Sequence, residues 1–525
     1  MAFQSLQLPP GIQRNATPYD TPNRWWDVNL VRWQSGTMRP IGGWQRLSTT
    51  AFNTPARLIS VYRDNSNIRH VLVGTDDKLY YDSGNDYTDI TPTSFLPLST
   101  LGLYGGYGTF AYGYDPNPVN DVIGPPLVMG KGVYGRQSSM ISTLYAPVPF
   151  WSMSNWGEDV ILTSNSDGRL FYYVSSTPSV KPVAITGSYV PTGNTSVVVT
   201  DERHVMAVGS PSNDQGTKRR LRWSSRESYT DWDYTSTTNT AGYLDLDARS
   251  PLLKGVKVRE GVLVFSSSEA FLVRYIGTPF IYNADRIAET SIMNAMSIAS
   301  YNGKAAWMGK NGFWRYEGGF LTPLDCPILN DIFESIDQNY GAIRSFASNN
   351  GTYPEIWWFY PTEGNSENNR YVCWNYQEDW WSWGELSRTA MAPGETYLHP
   401  YMGGADKYIY EHEVGYTNSG SPRASNGMIY AETGALPLTN GDRGVNINQV
   451  LPANDHGAAS MAVQFYSKQT PEGAERSFGP YYARTDGYTD CRVAGRDIRI
   501  RLEATQDAEW SVGKMRFNTQ PGSGR

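Results

Sequence analysis

Three observations predict an all-β fold, and within that class a β-propeller of about six or seven irregular blades. Aromatic residues make up 13 % of the chain, and Gly 51 with Pro 32 supplies many turns. Strands, tight turns and half-buried rings suit that mixture better than helices do. Short apolar runs joined by Asp-Gly or Asn-Gly turns recur along the middle of the chain. Near the C-terminus RDIRIRLEA alternates with a period of two, Ile498, Ile500 and Leu502 facing one way and Arg499 and Arg501 the other, which marks a half-buried strand. The competing architecture is a β-sandwich with decorated loops. At 525 residues the chain is too long for one simple core, so roughly two or three domains are expected.

The chain opens on an arm, RWWDVNLVRWQSGTMRPIGGW (24–44), that sets Trp25, Trp26, Trp33 and Trp44 among Arg24, Arg32 and Arg39. Tryptophan and arginine together are what contact surfaces favour. The first repeat follows at 56–92, with an apolar run at Val71-Leu72-Val73, a turn at Thr75-Asp76-Asp77 and a further run at Leu79-Tyr80-Tyr81. Segments 155–173, 196–234, 257–275, 301–320, 355–386 and 401–416 repeat the plan with unequal spacing. Each such meander leaves a face unburied until it packs against another around an axis. Residues 93–150 stand outside the rhythm. Their Gly/Tyr/Pro-rich stretch LGLYGGYGTFAYGYDPNPVNDVIGPP (101–126) suits a functional loop, a tip or gate, or a linker. From Asp442 the character changes again, to a compact all-β tail domain. The expected division is an arm over 1–50, a propeller over 51–440 carrying the 93–150 insertion, and a C-terminal β-domain over 441–525.

Charge and motifs narrow the chemistry. The formal net charge of −7 argues against a surface that clamps nucleic acid, while leaving room for a lumen through which DNA slides without sticking. Cys326, Cys373 and Cys491 are widely spaced without CxxC, which fits buried thiols in a reducing compartment rather than a disulfide scaffold or zinc site. The amino terminus lacks a basic-then-apolar signal, and no apolar run is long enough to span a bilayer, so synthesis and folding in a cytoplasm are expected.

Glu411-His412-Glu413 lacks the spacing of a zinc helix and reads as a surface turn. Asp379 beside Trp380 and Trp381 fits a blade edge better than the paired carboxylates of a sugar-cleaving cleft. SNSDGRLFYY (164–173) faintly resembles the aspartate-box turn of sialidase propellers, a structural element there. The basic run Lys218-Arg219-Arg220 with Arg222 and Arg226, beside Trp223 and Tyr229, has the mix used on single-stranded nucleic acid, and fits a solvated turn or an intersubunit salt-bridge partner better. There is no phosphate-binding glycine loop. No catalytic, cofactor or metal residue is expected, and no enzyme.

The arm carries one further signal. LPPGIQRNATPYDTPNRWWDVNLVRWQSGTMRPIGGW (8–44) resembles the amino-terminal signature of tail hub, or nozzle, proteins of short-tailed bacteriophages (podoviruses), also called packaged-DNA stabilisation proteins. GRDIRIRLEATQDAEWSVGKMRF (495–517) is similar to the closing strand pair of that family.

The resemblance implies a propeller joined to a small β platform built by both chain ends. It implies a structural virion protein, a homo-hexamer below an adaptor ring and through it the portal. Such a ring extends the DNA channel, retains packaged double-stranded DNA without sequence specificity and lets it pass at ejection. Tail fibres or spikes attach around it, and the host outer envelope is met at infection. The location implied is the virion tail, after assembly in the host cytoplasm.

Under that expectation Trp25, Trp26, Arg32, Trp33, Arg39, Trp44, Arg499, Arg501 and Trp510 form the subunit or adaptor interface, and Tyr104, Tyr107, Tyr112 and Tyr114 the channel gate. The alternative is a carbohydrate- or receptor-binding propeller of a tail fibre, followed by a polysaccharide depolymerase.

Overall fold

In the computed structural model the described residues are 3–14, 17–84, 86–97, 150–211, 218–338, 340–436, 438, 444–454, 461–470 and 473–522. Seven four-stranded antiparallel sheets follow one another in sequence order. They are blade 1 (56–89), blade 2 (151–184), blade 3 (196–245), blade 4 (252–289), blade 5 (298–324), blade 6 (346–385) and blade 7 (388–412). The first strands of successive blades touch, and that of blade 7 touches that of blade 1. The sheets therefore close into a ring with the first strands innermost, a seven-bladed propeller. All seven repeats seen in the sequence fall in different blades.

Blade 7 supplies only three strands from its own stretch. Its fourth is Trp44–Arg46, from the arm, which pairs antiparallel with Ile409–His412 and sets Trp44 opposite His412. Antiparallel order gives the disc two distinct faces. The turns joining first to second and third to fourth strands lie on one, the hairpin face. The second-to-third turns and the connections between blades lie on the other. Close packing fixes small residues between blades: a Cβ at Gly74 would meet the Trp151 ring at 2.4 Å.

Two further sheets make a platform from both chain ends. In one, Trp25–Asn29 pairs with Tyr430–Thr433, followed by Asp497–Ala504, Met461–Lys468 and Arg476–Tyr482. In the other, the hairpin Val31–Gln34/Thr37–Pro40 joins Val512–Pro521, Val445–Asn454 and Thr489–Gly495, with Phe3–Leu6 added along Val512–Pro521. Ser35 (φ 52°) and Gly36 (φ 75°) make the two-residue turn, whose positive φ values match the twist of a tight hairpin.

The arm changes sheets at Leu30, a buried residue held at φ 52°. Its N–H donates to the Tyr371 hydroxyl (3.2 Å), and its carbonyl accepts from Ile41 N–H (2.9 Å). Bonds on both sides of the peptide hold a backbone conformation that a leucine seldom adopts.

The expected boundaries move accordingly. Trp44–Arg46 belongs to the propeller rather than the arm, and Tyr430–Thr433 to the platform rather than the propeller. The reason is pairing: each segment is hydrogen-bonded to the body on the far side of the expected cut. Platform and propeller also share one apolar core, running from Ile447, Phe465 and Ile500 through Trp25 and Trp33 to Trp358, Trp374 and Trp381 of blade 6. No helix among the described residues is long and apolar enough to cross a membrane.

Candidate functional site: the arm between propeller and platform

The arm lies against the outermost strand of blade 6, Trp380–Glu385. Ile12 N–H donates to the Trp381 carbonyl (2.9 Å), and Glu385 N–H donates to Asn29 Oδ1 (2.7 Å). Trp33 meets Trp380 edge-on with centroids 5.6 Å apart, and Trp25 packs on Trp33 at 6.2 Å. The Arg14 guanidinium sits 4.5 Å from the Trp26 ring centroid and 4.8 Å from that of Trp383. Trp25, Trp26, Trp33, Trp44 and Trp510 are all buried within this one chain. At about 1.5–3 kcal/mol for each fully buried aromatic side chain, they hold the arm to the blades.

This corrects the expectation that the arm's tryptophans face a neighbouring subunit or the adaptor. Side chains already enclosed by their own chain offer no contact area outward. The physical cause is the outer edge of blade 6, a broad surface of Trp380, Trp381 and Trp383 that needs covering. Trp380 and Trp381 are likewise a covered blade edge, and the Asp379 carboxylate accepts from the Trp374 indole N–H (2.8 Å).

The arginines follow the same logic. Arg32 is 3 % exposed and lies between Glu355 (Nε to Oε1, 3.0 Å) and Glu413 (Nη2 to Oε1, 2.5 Å), with its guanidinium 3.7 Å from the Tyr353 ring centroid. The Trp357 indole N–H donates to the same Glu355 carboxylate (3.0 Å). Burial pushes the Glu355 carboxyl above its ordinary range, against the pull of Arg32. Arg499 is buried between Glu432 and Glu475 (2.8 Å from Nη2), flanked by the rings of Tyr19 and Tyr466. Tyr19, which donates to Glu475, is pushed up to about 12, chiefly by burial.

Arg32 and Arg499 are therefore internal counter-ions rather than interface residues. The Glu355 and Glu413 carboxylates are themselves buried, and in low dielectric such groups hold their cation closely. Arg39 and Arg501 remain partly exposed. Arg39 lies 4.0 Å from Glu509, and Arg501 lies over Tyr430 at 3.6 Å with Glu503 at 3.3 Å.

Trp44 forms the third clamp. Its ring stacks on His412 (5.3 Å), Arg388 and Arg423 lie over it at 5.1 and 4.8 Å, and its N–H donates to Asn418 Oδ1 (2.6 Å). Arg423, wholly buried, donates to the carbonyls of Ile41 (3.0 Å), Gly42 (3.1 Å) and Tyr416 (2.7 Å). Arg388 Nε donates to His412 Nε2 (2.8 Å), which leaves that imidazole neutral. Burial and two nearby arginines hold His412 well below its usual value. The expected surface turn at 411–413 is thus corrected: His412 ends a strand and is buried, and the Glu413 side chain is 7 % exposed.

Sequence reasoning missed Glu355, Arg14, Arg423 and Asp507, which caps Arg423 and Ala424 through their backbone N–H groups. The two glycines of PIGGW were a usable signal. A Cβ on Gly42 would meet Glu413 Cα at 2.6 Å, and one on Gly43 would meet the Thr417 carbonyl at 2.4 Å. The arm passes the 413–417 loop this closely only where it has no side chain. Gly43→Ala is expected to destabilise the protein by about 1–3 kcal/mol through overpacking, measurable as a lowered Tm, whereas Gly36→Ala opens on free space and tests only the turn's φ.

The basic run belongs to blade 3: Arg220 pairs with Asp245 (2.6 Å), and buried Arg222 stacks on Tyr234 at 5.0 Å. Tyr104, Tyr107, Tyr112 and Tyr114, the candidate gate, lie outside the described residues. Cys326, Cys373 and Cys491 are free thiols, and no metal-binding cluster of His, Cys, Asp or Glu occurs among the described residues.

No protein-family model matches the chain, and no curated protein matches it in sequence. Solved structures similar to it are propellers. The Neurospora crassa Pan2 WD40 domain is 9 % identical with a TM-score of 0.37, covering 72 % of this chain and 96 % of its own. The virginiamycin B lyase of Staphylococcus aureus, in a catalytically inactive form with quinupristin, is 8 % identical with a TM-score of 0.32, covering 68 % of this chain and 94 % of its own.

Proposed function

We propose that the chain is a ring-forming tail nozzle of a short-tailed bacteriophage, a structural virion protein that extends the portal–adaptor channel, retains packaged DNA and lets it pass at ejection. The observation that carries the proposal is the arm. Its RWW…NLVRW…RPIGGW pattern resembles that family, and each part of the pattern has a structural task here. The tryptophans cover blade 6, Arg32 pairs with two buried carboxylates, and the glycines let the chain pass to close blade 7. A wall segment under DNA pressure needs its ends tied in, and here both ends enter one platform.

The ring would hold six copies, with adaptor above and fibres or spikes around. Because the arm's large side chains are used internally, neighbouring copies would meet through partly exposed groups such as Arg39 and Arg501. No catalysis is part of the proposal. Mixing the chain with its adaptor ring and weighing the product by mass photometry is expected to add six copies per ring. Addition of three copies, or none, would contradict it.

One observation favours the second reading, a carbohydrate- or receptor-binding propeller. A cavity of about 380 Å³ opens beside blade 7, lined by Trp44, Asn369, Glu385, Arg388, Asp406 and Tyr410 among others, within the size range of small-ligand sites. Glycan-array binding that Asp406→Ala abolishes would support that reading.

A further inference from the structure

Arg32, Arg57 and Arg499 are buried, and each lies between two carboxylates: Glu355 and Glu413, Asp76 and Glu367, and Glu432 and Glu475 respectively. A buried cation needs such partners, because the water that would solvate it is excluded. Arg388, 6 % exposed at the start of blade 7, is held differently. Its Nε donates to His412 Nε2 (2.8 Å) and its Nη1 to the Ser387 carbonyl (2.7 Å), while Nη2 has no acceptor among the described residues. Burial pushes the guanidinium down to about 10, so it stays charged at neutral pH. A buried donor with no acceptor in its own chain is a place where a ligand group gains a strong hydrogen bond.

The Arg388 guanidinium lies 4.6 Å from the Tyr410 ring centroid and 5.1 Å from that of Trp44, and all three residues line the cavity of about 380 Å³ beside blade 7. The rest of its polar wall offers both kinds of partner. Asn418 takes the Trp44 indole N–H on Oδ1 (2.6 Å), which orients the amide and leaves Nδ2 a donor uncommitted among the described residues. Asp406, exposed in the second-to-third turn of blade 7, accepts from the Tyr410 hydroxyl and has further acceptor capacity. Glu385, its side chain 71 % exposed, lies 3.8 Å from Arg370 and supplies a second carboxylate. The cavity thus has a buried cation at one side and two carboxylates at its exposed rim.

We propose that this cavity binds an acidic sugar residue, its carboxylate reaching Arg388 Nη2 between the Trp44 and Tyr410 rings and its hydroxyls meeting Asp406, Glu385 and Asn418. The inference rests on the carbohydrate-binding reading and names the class of sugar. Hydrogen-bond and charge complementarity select that class. One free guanidinium nitrogen suits one carboxylate oxygen in a charge-assisted bond. The rim carboxylates accept from hydroxyl groups and repel a phosphate dianion. A neutral sugar satisfies the rim and leaves Arg388 unmatched, and a bare anion does the reverse. A ligand carrying both groups matches both sides.

Calorimetric titration of the full chain with oligosaccharides containing glucuronate or galacturonate, and with the same oligosaccharides after reduction of the carboxyl to the alcohol, tests this. The acidic forms are expected to bind about tenfold or more tightly than the reduced ones, the fold-change of one charge-assisted hydrogen bond. Arg388→Gln is expected to bring the two forms level, its folding being checked by Tm. Should that variant not fold, the comparison of the two ligand forms on the wild type decides by itself.

Equal binding of both forms by the wild type, or an undiminished preference for the acid in folded Arg388→Gln, would overturn the inference and leave the carbohydrate reading in place. Inorganic phosphate binding as tightly as the acidic oligosaccharide would overturn it too, by showing an anion site that does not read the sugar. Binding of neither form would also overturn it, and the carbohydrate reading falls with it only if the glycan array is blank as well. The hexameric ring stands apart from all of these results, since its stoichiometry is read without glycan.

Discussion

Arg32→Met is expected to lower the stability of the protein by about 3–5 kcal/mol at pH 7, the usual cost of leaving a buried charge without its partner. The residue is 3 % exposed, Glu355 1 % and Glu413 7 %, so water cannot replace the guanidinium. Burial already holds the Glu355 carboxyl above its ordinary value, and removing the cation raises it further. A carboxyl raised in the folded state contributes stability that is present below its unfolded pKa and lost as pH rises through the folded one. The deficit of the variant should therefore shrink as pH falls from 7 towards about 4. Glu355→Gln added to Arg32→Met should recover part of the loss at pH 7 and abolish part of the pH dependence. Denaturant titrations of the three proteins across that range read both effects.

Trp44→Ala is expected to cost a similar amount, about 3–5 kcal/mol, by a different route. Trp44 lies on the strand that completes blade 7, and its ring is the surface on which His412, Arg388 and Arg423 stack. Without it a cavity opens beside two arginines whose guanidinium groups touch no carboxylate among the described residues, and Asn418 loses its donor. The loss should be local as well as global. Hydrogen exchange is expected to speed first in Trp44–Arg46 and Ile409–His412, while blades 3 and 4, on the far side of the ring, keep their protection. Uniform loss of protection would mean that the strand from the arm does not close the ring.

The blades were legible because each repeats a local plan. Val71-Leu72-Val73, Val160-Ile161-Leu162 and Ala305-Ala306-Trp307 are buried second strands, and the turns after them contain Asp or Gly. The alternation of Ile498, Ile500 and Leu502 was equally direct, since a strand buried on one face writes that face into every second residue.

The arm was not legible in the same way. Its Trp/Arg composition says that large apolar area and charge are to be buried, but not against what, and the partner surface lies more than 300 positions later, in Glu355 and Trp380–Glu385. Pairing over such separations leaves no periodic trace. His412 and Glu413 were misplaced for the same reason: a polar triplet reads as a turn unless its distant arginines, Arg32 and Arg388, are known.

The most direct test of the account is a cryo-electron microscopy map of the intact particle's tail. It should show six copies of this chain around the central axis below the adaptor, each with Trp25, Trp33 and Trp44 packed on its own blades 6 and 7. A map that places the chain off the axis, or as a trimer at a spike, would contradict the nozzle assignment, and one in which the arm reaches into a neighbouring copy would contradict the internal clamp.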